Sequence, residues 1–276
     1  MPPTDTPSDA VFPHAGGKRG LRRWLLCATL ARSEAPRSCW GAGVLWLNWQ
    51  RRGDFQHLVR DTRENETRLG WAHVQADTLA AHESLVDAFF ATPWLSFDAF
   101  IAEPNFPEDS GSDGATQRRA FEDFLHAQIA ERLRAEPDEP QPVRIWLDAQ
   151  HSGYESRKQA TTAMEDHVLR PVFGRLRPCD KAIPHRLERT QGLELANLLL
   201  EALRAAWTRT TLGGPRRAVQ ARLANHLGWA DLCTTSRPGE TKFNVRLGAP
   251  QERSRRATQL PLFALPPSSR RPVLSP

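Results

Sequence analysis

Several features are scarce or missing in this 276-residue chain, and each absence closes off a class of protein. No apolar run approaches the roughly 18–20 residues that span a bilayer as a helix. The longest, Trp24–Leu30 and Leu195–Leu200, are sized for a core, so an integral membrane protein is excluded. The four cysteines, Cys27, Cys39, Cys179 and Cys233, lie far apart with no Cys-x-x-Cys pair. That removes a structural zinc site and a disulfide framework, and a reducing compartment is expected. Residues 1–17 lack the basic start and apolar centre of a secretory leader, so a cytoplasmic location is expected. There is no G-x-S-x-G elbow, no phosphate-loop glycine pattern and no internal repeat. His14, His73, His151 and His185 are scattered without His-x-His or His-x-x-x-His spacing, so no local transition-metal signature exists.

What remains is an ordinary globular composition, 39% hydrophobic and 25% charged. The pI near 9.4 invites a nucleic-acid reading. Its charge, however, sits in the arms: residues 1–23 carry +2 and residues 252–276 carry +4, leaving −1 for the body. The composition therefore argues for basic arms that touch nucleic acid without sequence preference, not for a basic groove.

Local patterns divide the chain into residues 1–17, rich in Pro, Asp and Gly with a short strand near Val11, a folded body over 18–247, and a Pro-rich basic tail over 248–276. Arg23–Ala31 predicts a buried strand. Trp40–Asn65, with Trp46, Trp49, Phe55, Leu58 and Val59 among arginines, predicts an amphipathic helix after Gly43. Thr78–Phe90 predicts a helix stopped by Pro93, and Leu95–Ala102 alternates as a strand. Pro104–Gly114 reads as a loop, Thr116–Arg134 as a helix, and Val143–Asp148 as the clearest strand. Glu155–Arg170 predicts a helix, Arg177–Arg189 a loop, and Thr190–Arg209 a long helix. A short helix over Arg217–Leu227 and a strand over Lys242–Leu247 complete the body. Strands alternating with helices predict a single α/β domain.

Two places in this outline carry chemistry. Asp148 closes a buried strand and leads into Ala149–Gly153, the position where open α/β sheets put their ligands; the alternative is a carboxylate that caps the next loop. Glu194, Asn197, Glu201 and Arg204 recur at intervals of three and four along a Leu- and Ala-rich helix, forming one polar stripe. It either faces Asp148 across a crevice or is the helix's solvated side.

The segment Arg189–Trp207 (RTQGLELANLLLEALRAAW) resembles the final helix of the large bacterial family known as domain of unknown function 3800. Leu85–Pro104 and Val143–Gly153 resemble further segments of that family in the same order, and Leu45–Phe55 and Thr241–Leu247 resemble segments of one of its subgroups, so the likeness spans Phe12 to Leu247. The resemblance implies a ribonuclease-H-like fold: a mixed central sheet flanked by helices, with flexible termini. It also implies a divalent-metal-dependent nuclease using Mg²⁺ or Mn²⁺, with Asp148, Glu194 and Asn197 as catalytic residues and Asp148 and Glu194 as metal ligands. The chain departs from the family at its acids. Pro13-His14-Ala15-Gly16 stands where the family has Asp-Glu before the small residues, Glu66 is two residues out of register beside Arg68-Leu69-Gly70-Trp71, and Asn197 replaces an Asp. Hard divalent cations need several converging anionic oxygens, so a degenerate site with weak or lost activity is expected. The alternative is a non-catalytic relative that binds nucleic acid or a partner through its tail.

The tail carries a separate signal. Gln259-Leu260-Pro261-Leu262-Phe263 resembles the short peptide with which bacterial proteins dock on the DNA sliding clamp. Leu260, Leu262 and Phe263 would supply the apolar anchors and Gln259 a polar one.

Overall fold

The structure, a computed structural model, describes residues 24–31, 39–63, 68–102, 114–135, 143–148, 154–173, 179–186 and 190–248. The strand expected near Val11, the Pro13–Gly16 and Glu66 positions, the Ala149–Gly153 segment and the whole tail, with Gln259, Leu260, Leu262 and Phe263, lie outside the described residues.

Six strands form one sheet: β1 (Trp24–Ala31), β2 (Gly41–Asn48), β3 (Leu95–Ile101), β4 (Val143–Asp148), β5 (Cys179–His185) and β6 (Phe243–Leu247), in the order β5-β4-β1-β2-β3-β6. β2 runs antiparallel to both β1 and β3, whereas the β1–β4, β4–β5 and β3–β6 pairs are parallel. The helices are α1 (Arg52–Thr62), α2 (Leu79–Ala91), α3 (Gly114–Ala135), α4 (Arg157–Ala163), α5 (Arg170–Phe173), α6 (Gln191–Trp207) and α7 (Gly214–Leu227). The expected class, a single α/β domain with a mixed central sheet flanked by helices, is the observed one. No helix among the described residues is long and apolar enough to cross a membrane.

Alternation along the strands builds two cores. Leu25 and Cys27 of β1 face one side with Leu45 and Leu47 of β2 and the leucines of α6. Leu26, Ala28 and Leu30 face the other with Val143, Ile145 and Leu147 of β4 and Phe121, Leu125 and Ile129 of α3. β1 is buried on both faces, which is why it reads as an unbroken apolar run.

Two expectations fail. Gly41–Asn48 is a strand, not the start of a helix: it lies between β1 and β3 and is buried on both faces, so its residues show no helical or strand period. The helix begins only at Arg52, after Asn48 Oδ1 accepts the Gln50 N–H at 2.9 Å to cap an intervening 3₁₀ turn. Arg177–Arg189 is not a loop, because Cys179–His185 adds a parallel edge strand beside β4. Pro184 disguises it, and an edge strand is where a sheet tolerates a residue without an N–H. The helix expected over Glu155–Arg170 is composite, α4 and α5 being joined by a π-helical turn at Met164–Leu169.

Close packing of α6 needs small residues beneath it. A Cβ on Gly43 would stand 2.8 Å from Phe97 Cζ and 3.3 Å from Leu200 Cβ, and one on Gly192 would overlap Cys27 Sγ. At the far edge, Lys242 ties β6 to α2 by donating to the carbonyls of Phe89 (2.6 Å), Thr92 (2.6 Å) and Leu95 (2.8 Å). Burial lowers its pKa to about 8.

Candidate functional site

β1, β3, β4, β5 and β6 all run the same way, so their carboxyl ends share one edge of the sheet, the edge where such sheets hold ligands. Asp148 ends β4 there and is 1% exposed. Its register neighbour on β5 is His185. On the other side Ala28 pairs with Leu147, so Thr29 and Asp148 are the next residues along two parallel strands. Trp146, two residues before Asp148 on the same face, packs against the α6-side core and meets the His185 ring edge-on at 5.0 Å. Thr29 Oγ1, Trp146 Nε1 and His185 Nε2 are buried with no hydrogen-bond partner among the described residues. Burial, and then the charge of Arg157, lower the pKa of His185 and favour its neutral ring. The edge thus gathers a carboxylate, a hydroxyl and a neutral imidazole.

Sequence reasoning found Asp148 and missed its neighbours. His185 was one of four scattered histidines because its segment read as a loop; only strand pairing brings it beside Asp148. His151, the residue closest to Asp148 in that group, lies outside the described residues.

The polar stripe of α6 has partners of its own among the described residues. Gly192 and Leu200 face the sheet, over Cys27 and Gly43. At about 100° per residue, Glu194 is turned well away from that line and Asn197 lies at its flank, about 60° from Leu200. They are not solvated either: Glu194 is 2% exposed and Asn197 7%. Glu194 binds the Arg63 guanidinium and accepts the Leu69 backbone N–H, while Asn197 Oδ1 accepts the Trp71 N–H at 3.3 Å. The pair therefore clasps residues 63–71 against α6. Burial raises the pKa of Glu194, opposed mainly by the charge of Arg63. Farther along, Glu201 and Arg204 form an ion pair with each other at 2.8 Å.

These positions bear on the metal that the family resemblance implies. A two-ion site requires several acids converging on ions about 3.5–4 Å apart. Among the described residues no group of three or more Asp, Glu, His or Cys side chains is placed to hold a metal ion. Glu194 is spent on a guanidinium and a backbone N–H, and Asn197 on a second N–H. The described side chains do not fit a two-metal cage with Asp148, Glu194 and Asn197 as its members. No protein-family model matches the chain, and no curated protein matches it.

Proposed function

We propose that this is a ribonuclease-H-like protein whose acidic nuclease site has degenerated, with Asp148 its retained carboxylate and Glu194 and Asn197 serving the fold. The observation that carries the reading is the clasp. Glu194 is buried against Arg63 and the Leu69 N–H, partners that tie it to residues 63–71. The mixed flanked sheet, with Asp148 at its carboxyl edge, supports the scaffold half of the proposal. On this reading metal-dependent phosphodiester cleavage is weak or lost. Contact with partners falls to the arms: basic residues for nucleic acid, and Gln259–Phe263 for the sliding clamp.

The test is cleavage of labelled single-stranded DNA and RNA across a Mg²⁺ and Mn²⁺ titration, comparing wild type with Asp148→Asn. Little or no turnover by either protein is expected. Robust cleavage by wild type that vanishes in Asp148→Asn would overturn the proposal, because it would require a complete acid set around Asp148.

A further inference from the structure

On its own face of the sheet α6 lies over β1 and β2, with Gly192 above Cys27 and Leu200 above Gly43. β4 and β5 continue that face beyond the helix. Alternation separates their two sides. Val143, Ile145 and Leu147 of β4 and Ala182 of β5 are buried in the core that holds Phe121, Leu125 and Ile129 of α3. On the α6 side, Arg144 and Trp146 of β4 and Ile183 and His185 of β5 are partly exposed.

These side chains belong to a connected track of guanidinium and aromatic groups. Arg52, at the start of α1, stands over the partly exposed Trp49 ring with its Cζ 4.2 Å from the centre, and Arg144 does so at 4.1 Å. Trp49 meets Trp146 edge-on at 6.2 Å, and Trp146 meets His185 at 5.0 Å. The charge of Arg157, the first residue of α4, reaches His185. From Arg144 to Asp148 the track follows β4 for about 13 Å, at about 3.3 Å per residue, and ends at the carboxyl edge of the sheet. Its charge is one-sided. The guanidiniums of Arg52 and Arg157 are exposed, and neither has a carboxylate partner among the described residues. Asp148, the acid on this face, is 1% exposed, and Asp54 of α1 is paired with Arg51 at 3.3 Å. The near-neutral charge of the body as a whole hides this local excess.

We propose that this track binds single-stranded nucleic acid, with Arg52 and Arg157 holding phosphates while unpaired bases stack on the exposed surfaces of Trp49, Trp146 and His185. Every base has a face that an aromatic ring accepts, and every phosphate suits a guanidinium, so the contact depends strongly on salt and little on sequence. Bases within a duplex keep their faces in the stack, so a duplex gains only the phosphate contacts. The proposal adds a contact on the folded body to those of the arms. It rests on the reading above for the class of partner but not on the loss of catalysis: robust cleavage would overturn that reading and leave this contact in place.

Fluorescence anisotropy of a labelled oligothymidylate of about ten nucleotides, titrated with the full chain at several salt concentrations, tests it. Arg52→Ala with Arg157→Ala should weaken binding at least about fivefold and reduce the slope of log affinity against log salt by about 1.4, since each phosphate contact on a single strand contributes about 0.7. An oligonucleotide with the same phosphates but no bases should bind wild type about tenfold more weakly, and Trp49→Leu should erase most of that difference, because contacts made by the basic arms alone do not sense bases. Arg217→Ala with Arg237→Ala, exposed positions in α7 and beside β6, is the charge-matched control and should leave affinity within about twofold of wild type. Unfolding midpoints separate lost binding from lost folding, and the comparison of oligonucleotides with and without bases needs wild type alone. Equal affinity of wild type and the Arg52/Arg157 variant would overturn the proposal and assign the contact to the arms. Equal affinity of wild type for the two oligonucleotides, or no titratable binding of either, would overturn it as well.

Discussion

Replacing Glu194 separates the two roles open to it, clasp and metal ligand. Removing one partner of a buried ion pair costs about 3–5 kcal/mol when the other is stranded. Arg63 is 23% exposed, so its guanidinium recovers some water and the cost falls. Glu194→Ala should therefore destabilise by about 2–3 kcal/mol, with part of the loss coming from the orphaned Leu69 N–H. Glu194→Gln keeps the shape and an acceptor for that N–H. It loses the charged hydrogen bond to Arg63 but also the burial of a carboxylate, which is the largest influence on its pKa and raises it. These effects oppose, so the change should stay within about 1 kcal/mol of wild type at neutral pH. The raised pKa also sets a slope. Just above the ordinary carboxylate range the folded protein holds more protons than the unfolded one, so this group's contribution to stability falls as pH rises through that window. Glu194→Gln should remove that slope. The assay is urea unfolding followed by fluorescence of the nine tryptophans, across pH and with or without millimolar Mg²⁺. A Mg²⁺-dependent rise in the wild-type midpoint that disappears in Glu194→Gln would refute the reasoning, because Glu194 would then be a ligand.

Three further outcomes are expected. Gly192→Ala should destabilise by about 1–2 kcal/mol, since its methyl group overlaps Cys27 Sγ; adding Cys27→Ala, which leaves the two Cβ atoms 3.4 Å apart, should recover much of the loss, and strict additivity in the unfolding cycle would contradict the packing. Asp87 is bound by Arg222 Nε at 2.6 Å and His226 Nε2 at 2.7 Å, and the Arg222 contact leads in lowering its pKa to about 2. Its contribution is present above the ordinary carboxylate pKa and lost as pH falls towards 2, so Asp87→Asn should flatten the acid limb of the stability curve, measured by thermal unfolding. A synthetic peptide containing Gln259–Phe263 should bind a bacterial sliding clamp with Kd on the order of micromolar, and Leu262→Ala with Phe263→Ala should abolish the signal; a wild-type peptide with no titratable binding removes this partner.

The sequence alone determined the elements whose apolar pattern is local. β1, β3, β4 and β6 follow from buried or alternating runs, and α2, α3, α6 and α7 from helical spacing and their stops. Asp148 at the end of β4 was legible for the same reason. Tertiary structure decided the rest. β2 reads as strand only because neighbours on both sides pair with it, and β5 only because β4 offers a parallel edge to a segment that Pro184 disguises. Periodicity shows that Glu194, Asn197, Glu201 and Arg204 share a side of α6, but not what covers that side. The answer for Glu194 is Arg63, 131 residues away in the chain. The meeting of Asp148 with His185, and of Glu122 with Tyr154 and His167, likewise depends on which elements lie side by side. A local pattern records what a side chain must avoid, water or apolar surroundings. Its partner is chosen by long-range packing, where burial makes an unmatched polar group too costly to leave alone.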